Sequence, residues 1–136
     1  MVLVDTPIWS LSLRRRDIDW SPSERRVTQS LYHLVRQNRV KLLGSTRQEV
    51  LSGIREESQF LLIRDHLRGF TNVDLDVGDY EEAARASNEC RRRGIAGSPV
   101  DLMCAVALRH SWQIFTTDRD FAHYGKVLNV ELFSME

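Results

Sequence analysis

Four carboxylates stand where an α/β chain gathers its chemistry. Asp5 ends the apolar run Val2-Leu3-Val4, and Glu49 lies in the first turns after Val40-Lys41-Leu42-Leu43. Asp118 ends the run 113–117, and Asp101 sits one turn into the stretch 98–108, which reads as a helix apolar almost all the way round. In a parallel sheet, functional groups collect at the carboxyl ends of strands and at the helix starts that follow. Each acid also has a purely structural explanation. Asp118 reads equally as an N-cap, and Glu49 and Asp101 as answers to a helix dipole. Asp5 has the weakest such excuse, because Thr6 reads as the cap of the helix that Pro7 begins. Carboxylates packed together raise one another's pKa and destabilise a fold unless a cation neutralises them. Oxygen ligands without His or Cys select Mg²⁺ or Mn²⁺ over zinc. A hard cation with open positions polarises a phosphodiester and lowers the pKa of a bound water, which is nuclease chemistry.

Strands and helices alternate in a way that brings those acids to one edge. After the strand 2–4, a helix from Thr6 carries Ile8, Trp9, Leu11 and Leu13, and Ser21-Pro22-Ser23-Glu24 starts another that runs to about Gln37. A second strand, 40–43, leads into a helix for which Ser45 and Gln48 form a capping box. A helix ending at Gly69, an edge strand over 73–77, and an Ala-rich helix from Asp79 to Gly94 come next, with Asp74, Asp76 and Asp79 read as solvent-exposed. Ser98 and Pro99 open the apolar helix as N-cap and first residue. The strand 113–117 runs into Asp118-Arg119-Asp120, which caps a short helix, and 127–133 forms a last strand. The pattern predicts one domain over 1–136, a three-layer α/β/α arrangement on a mainly parallel sheet of four to five strands.

Composition narrows the chemistry further. Nineteen basic and nineteen acidic side chains cancel, which argues against non-specific coating of nucleic acid but leaves room for a local basic rim. Arg14-Arg15-Arg16 and Arg91-Arg92-Arg93 hold phosphates bidentately or simply form solvated helix ends. The chain has no Gly-rich phosphate loop and no GxSxG elbow. His33, His66, His110 and His123 lack metal-ligand spacing, Trp9, Trp20 and Trp112 read as packing residues, and Cys104 as a small core hydrophobe. The start of the chain meets Asp5 too soon for a signal peptide, and no apolar run reaches membrane-spanning length. Two cysteines with no CxxC spacing fit a reduced, cytoplasmic setting.

Four stretches in order resemble a PIN domain of the VapC toxin type: Val2-Leu3-Val4-Asp5-Thr6-Pro7-Ile8-Trp9, Glu49 to Arg55, Arg92-Arg93-Gly94 through Ser98-Pro99-Val100-Asp101, and Thr116-Thr117-Asp118-Arg119-Asp120-Phe121. The resemblance covers nearly the whole chain. It implies a Mg²⁺- or Mn²⁺-dependent endoribonuclease whose acidic set falls on Asp5, Glu49, Asp101 and Asp118, with Asp120 as an extra acid. It implies cleavage that leaves 5′-phosphate and 3′-hydroxyl ends. It also implies a VapB-type antitoxin that wraps the toxin, and a homodimer. Under this reading Asp5 and Asp101 hold the metal directly, Glu49 and Asp118 complete the site, and Asp120 orients them. Thr6 and Thr116 supply supporting hydroxyls, and Arg14, Arg15, Arg16 or Arg119 grip RNA phosphates. One departure is Pro7, which stands where the family usually has Ser and removes a hydroxyl beside the expected metal, although Thr6 keeps one nearby.

Two other readings remain open on the sequence. Asp118-Arg119-Asp120 after a strand mimics the DxD of an aspartyl-nucleophile phosphatase, but it lies too near the C-terminus for the Lys and acids such an enzyme needs downstream. A receiver-type or non-catalytic PIN-like binding module would use the acids only as caps. A receiver, however, should show paired acids after its first strand, where Asp5 stands alone.

Overall fold

Three short parallel strands carry the fold in a computed structural model that describes residues 1–95 and 100–135, Val100 and Asp101 as backbone only. β1 (Val2–Val4) lies between β2 (Val40–Lys41) and β3 (Gln113–Phe115), with Leu3 paired to Lys41 on one side and Ile114 on the other. All three residues of β1 are fully buried, as a central parallel strand covered on both faces requires. The pleat sorts its side chains to opposite faces. Val2 and Val4 join Ile8 and Trp9 of α1 (Thr6–Arg14), Leu31 and Leu34 of α2 (Pro22–Arg36), Val50 of α3 (Gly44–Leu51) and Ile63 of α4 (Glu57–Leu67). Leu3 and Ile114 turn the other way, towards Cys90 of α5 (Val77–Arg92), Cys104 and Val106 of α6 (Val100–His110), and Phe121 of α7 (Phe121–Leu128). A core on each face of the sheet makes the three α/β/α layers that the sequence predicts.

Local signals explain several boundaries. Ser21 and Glu24 form the reciprocal capping box at the start of α2, where Pro22 takes the first helical position. Trp9 is 2% exposed, donates its indole N–H to the Val4 carbonyl at 3.2 Å and meets Phe70 edge-on, so it packs. The four histidines are exposed. The expected N-cap Ser98 and first residue Pro99 lie outside the described residues.

Elsewhere the structure departs from the pattern. The sheet has three strands among the described residues rather than four to five, and the two missing strands shrink to single bridges. Asn72 pairs with Leu42 before Asp76 and Asp79 cap each other and turn 77 onward into helix, so 73–77 is not an edge strand. The helix α7 takes Val127 and Leu128, ends on left-handed Asn129 (φ 57°), and leaves only Leu132 to pair with Ile114. The box expected of Ser45 does not form, because α3 begins one residue earlier, at Gly44, with Leu43 as its N-cap residue. A Cβ on Gly44 would stand 3.2 Å from the Asn72 amide, so a larger residue there needs that side chain to give by a few tenths of an ångström. Arg47 ties this helix down by donating to Asn72 Oδ1 at 2.9 Å and to the carbonyls of Leu67 and Phe70.

Asp79 is the sharpest correction: it is 1% exposed, not solvated. Its carboxylate accepts from Arg109 of α6 at 2.7 Å, and Arg109 also donates to Asp76 at 2.6 Å. Gly78 leaves room for that guanidinium, since a Cβ there would lie 2.8 Å from Arg109 Nη2. The clamp joins α5 to α6, the helix that carries Asp101. Arg109 and the Asp79 N–H hold the Asp76 carboxyl below its ordinary pKa. A depressed acid stabilises the fold above its unfolded pKa and loses that contribution as pH falls through the folded value. Arg109→Ala leaves Asp79 buried without its cation, so the Tm at pH 7 should drop by several degrees. The deficit should narrow as pH falls below about 4. Thermal melts of parent and variant across pH check both outcomes.

Candidate metal centre

The pairing of Val4 with Phe115 sets Asp5 beside Thr116 where the two strands end. The Asp5 N–H still donates to the Phe115 carbonyl at 2.9 Å, so the pairing holds Asp5 at the sheet edge. Its side chain then does two jobs. One carboxylate oxygen accepts from the Thr6 N–H at 2.8 Å, which makes Asp5 itself the N-cap of α1 and displaces Thr6 from the capping position the sequence suggests. The other accepts from the Thr116 hydroxyl at 2.8 Å.

Hydroxyls link the remaining acids to this one. Thr6, freed from capping, donates its hydroxyl to Glu49 Oε2 at 2.9 Å across the gap between α1 and α3. The Thr116 hydroxyl that donates to Asp5 accepts in turn from the Asp118 N–H at 3.0 Å. The Asp118 carboxylate accepts from the Asp120 N–H at 2.9 Å, which folds the turn ahead of α7. The structure thus brings Asp5, Glu49 and Asp118 to one cavity of about 320 Å³, together with Thr6, Ser45, Thr46 and Met103. Ser45, read in the sequence only as a helix cap, and Thr46, not read there at all, join the site, although the helix start after a strand is their signal. Asp101 lies two residues before Met103 in α6, with its carboxylate outside the described residues.

Other predicted residues fall elsewhere. Asp120 is exposed and lines a separate hollow with Gly94, His123 and Tyr124; it meets the acidic cavity only through the backbone bond to Asp118. Arg14, Arg15 and Arg16 are exposed at the end of α1, the first two over a neighbouring concavity, with Arg15 paired to Glu24. Arg119 is exposed beside Asp118.

The electrostatics favour a cation. Burial raises the pKa of Asp5 most; the bonds from Thr116 and Thr6 oppose that, while the charges of Glu49 and Asp118 add to it. Among the described residues, no Arg or Lys pairs with Asp5, Glu49 or Asp118. Nor, among them, does any group of three or more His, Cys, Asp or Glu side chains stand together so as to hold a metal ion by itself. Mg²⁺ and Mn²⁺ do not require such a cage, since they keep several waters and bind through one or two carboxylates. The acidic and hydroxyl groups among the described lining residues offer oxygens, with no His or Cys among them, so the residues present fit such an ion.

Comparison with known proteins follows the same lines. The family model for the PIN domain matches residues 2–127. FitAcB from Neisseria gonorrhoeae is similar in structure, with a TM-score of 0.73, 21% identity, and coverage of 98% of this chain and 97% of that one. VapBC2 from Rickettsia felis bound to a DNA fragment from its promoter gives a TM-score of 0.75 at 14% identity, with both chains covered in full. A toxin–antitoxin complex from Klebsiella pneumoniae gives 0.67 at 21% identity, covering 90% of this chain and 91% of that one. No curated protein sequence matches. These likenesses establish a shared fold, and the model match over nearly the full length establishes more: the chain belongs to the PIN domain family.

Proposed function

We propose that this protein is a Mg²⁺- or Mn²⁺-dependent endoribonuclease, the toxin of a toxin–antitoxin module, silenced by a VapB-type antitoxin. The observation that carries the reading is the convergence of Asp5, Glu49 and Asp118 on one cavity without a basic partner among the described residues. PIN domains are generally nucleases, and one of the similar structures is itself a toxin–antitoxin complex. RNA as substrate, the antitoxin and self-association as a homodimer come from the family resemblance in the sequence, and the cytoplasm as its setting from the two cysteines without CxxC spacing.

In this reading Asp5 and Asp101 hold the ion, and Glu49 and Asp118 complete the acidic wall. A bound Mg²⁺ or Mn²⁺ supplies the charge that polarises the phosphodiester and acidifies a coordinated water. The chain's own groups aim the site. Thr116 fixes one Asp5 oxygen and holds the Asp118 backbone, Thr6 fixes Glu49, and the Asp120 N–H fixes Asp118. Pro7 lines the same cavity with no hydroxyl to offer, so Thr6 is the side-chain donor on that wall.

Three outcomes test the proposal. Asp5→Asn and Asp101→Asn should each abolish Mn²⁺-dependent cleavage of RNA and leave the circular dichroism spectrum unchanged; full activity in either variant removes that residue from the site. Thr116→Val keeps the shape but loses the bond to Asp5, and should reduce cleavage or Mn²⁺ affinity by about 10–100-fold, read by calorimetry and initial rates. The third concerns stability without metal. An acid whose folded pKa is raised contributes stability below its unfolded value and loses it as pH rises through the folded one. Ionised Asp5 therefore costs stability at pH 7, where metal-free Asp5→Asn should melt at or above the parent. The parent should catch up as pH falls into the carboxylate range, and added Mn²⁺ should raise the Tm of the parent alone.

A further inference from the structure

Beside the acidic cavity lies a larger concavity of about 800 Å³ between α1 and α2. The two share Pro7 as a wall, and Thr117, between Thr116 and Asp118, lines the larger one. The two cavities therefore adjoin at Pro7. The floor of the larger groove includes apolar Leu11 and Val27, with the hydroxyls of Ser10 and Ser23 along the sides.

Among the described residues the charge lining the groove is unbalanced. The acid on that lining, Glu24, is engaged by the Ser21 N–H and by Arg15, and these hold its carboxyl below the ordinary range. Arg14 on α1 and Arg26 on α2 also line the groove, and both are exposed. Neither has an ion-pair or hydrogen-bond partner among the described residues. The sequence drew attention to 14–16 as a run, but a run of three on a helix end spreads its side chains in different directions. Arg16 does not line the groove and Arg15 is already paired, while Arg26, twelve positions on, faces Arg14's groove from the second helix.

We infer that the α1–α2 groove seats the single RNA strand flanking the scissile bond, with Arg14 and Arg26 each taking a backbone phosphate. The inference rests on the ribonuclease reading and adds the path of the substrate to it. Two guanidinium groups with no partner among the described residues match a polyanion of regularly spaced charge, and an apolar floor accepts the faces of bases. A volume within the roughly 300–1,000 Å³ of pockets that enclose small ligands suits a few nucleotides of single strand, not a duplex.

The test uses the full chain and a labelled single-stranded RNA oligonucleotide in EDTA, where binding is read without cleavage. Arg14→Ala/Arg26→Ala should weaken binding by about tenfold at low salt. It should also flatten the dependence of log K on log salt by about 0.7 for each lost phosphate contact. Arg68→Ala/Lys126→Ala removes the same net charge from other exposed positions and should do neither. With Mn²⁺ present, the groove variant should raise KM and leave kcat near that of the parent, as loss of uniform binding does. If cleavage and RNA binding in the groove variant equal those of the control pair, the groove assignment falls while the ribonuclease reading stands. If the parent chain neither binds nor cuts RNA with Mn²⁺, both fall. If the groove variant instead loses affinity only for an acidic peptide, the groove belongs to a protein partner and the inference is overturned.

Discussion

The carboxylate of Asp5 is the point on which this structure turns. One oxygen caps the helix that follows β1, and the other is held by a hydroxyl from the neighbouring strand. Those two bonds favour the charged form, while burial and two further acids oppose it. Among the described residues, no Arg or Lys pairs with that carboxyl. A fold keeps such a conflict when something outside the chain resolves it, and a divalent ion is the simplest agent that does so.

The rest of the molecule can be understood as the frame that holds this conflict steady. Short parallel strands buried on both faces place Asp5 and Thr116 side by side by register alone. The α3 helix delivers Glu49, and it does not rely on a side-chain N-cap; Arg47 anchors it to the end of α4 instead. On the opposite layer the Arg109 clamp locks α5 against α6, so the helix bearing Asp101 is fixed by a half-buried ion pair as well as by apolar packing. Hydroxyls recur at each join. Thr6 and Thr116 are small, can donate and accept together, and so link carboxylates that would otherwise only repel.

The same economy applies to the basic residues. A chain with no net charge has sorted its charges locally. Acids gather at the strand ends, and two arginines without a partner among the described residues line the adjoining groove. In the function proposed above, the second would attract a polyanion and the first a cation. Net charge alone conceals both.

The sequence by itself determined the layered α/β plan, because the period of apolar residues is a local property and each strand end announced its acid. It also determined the α2 capping box, which needs only four consecutive residues. What it left undecided depended on partners distant in the chain. Whether Asp79 is solvated turns on Arg109, thirty positions away. Whether 73–77 and 127–133 extend the sheet turns on competition with helices that claim the same residues. That Asp5 rather than Thr6 caps α1, that Thr6 therefore reaches Glu49, and that Asp120 stands outside the acidic cavity are likewise tertiary decisions. A side chain with two possible hydrogen bonds chooses between them only when the whole fold has set the distances.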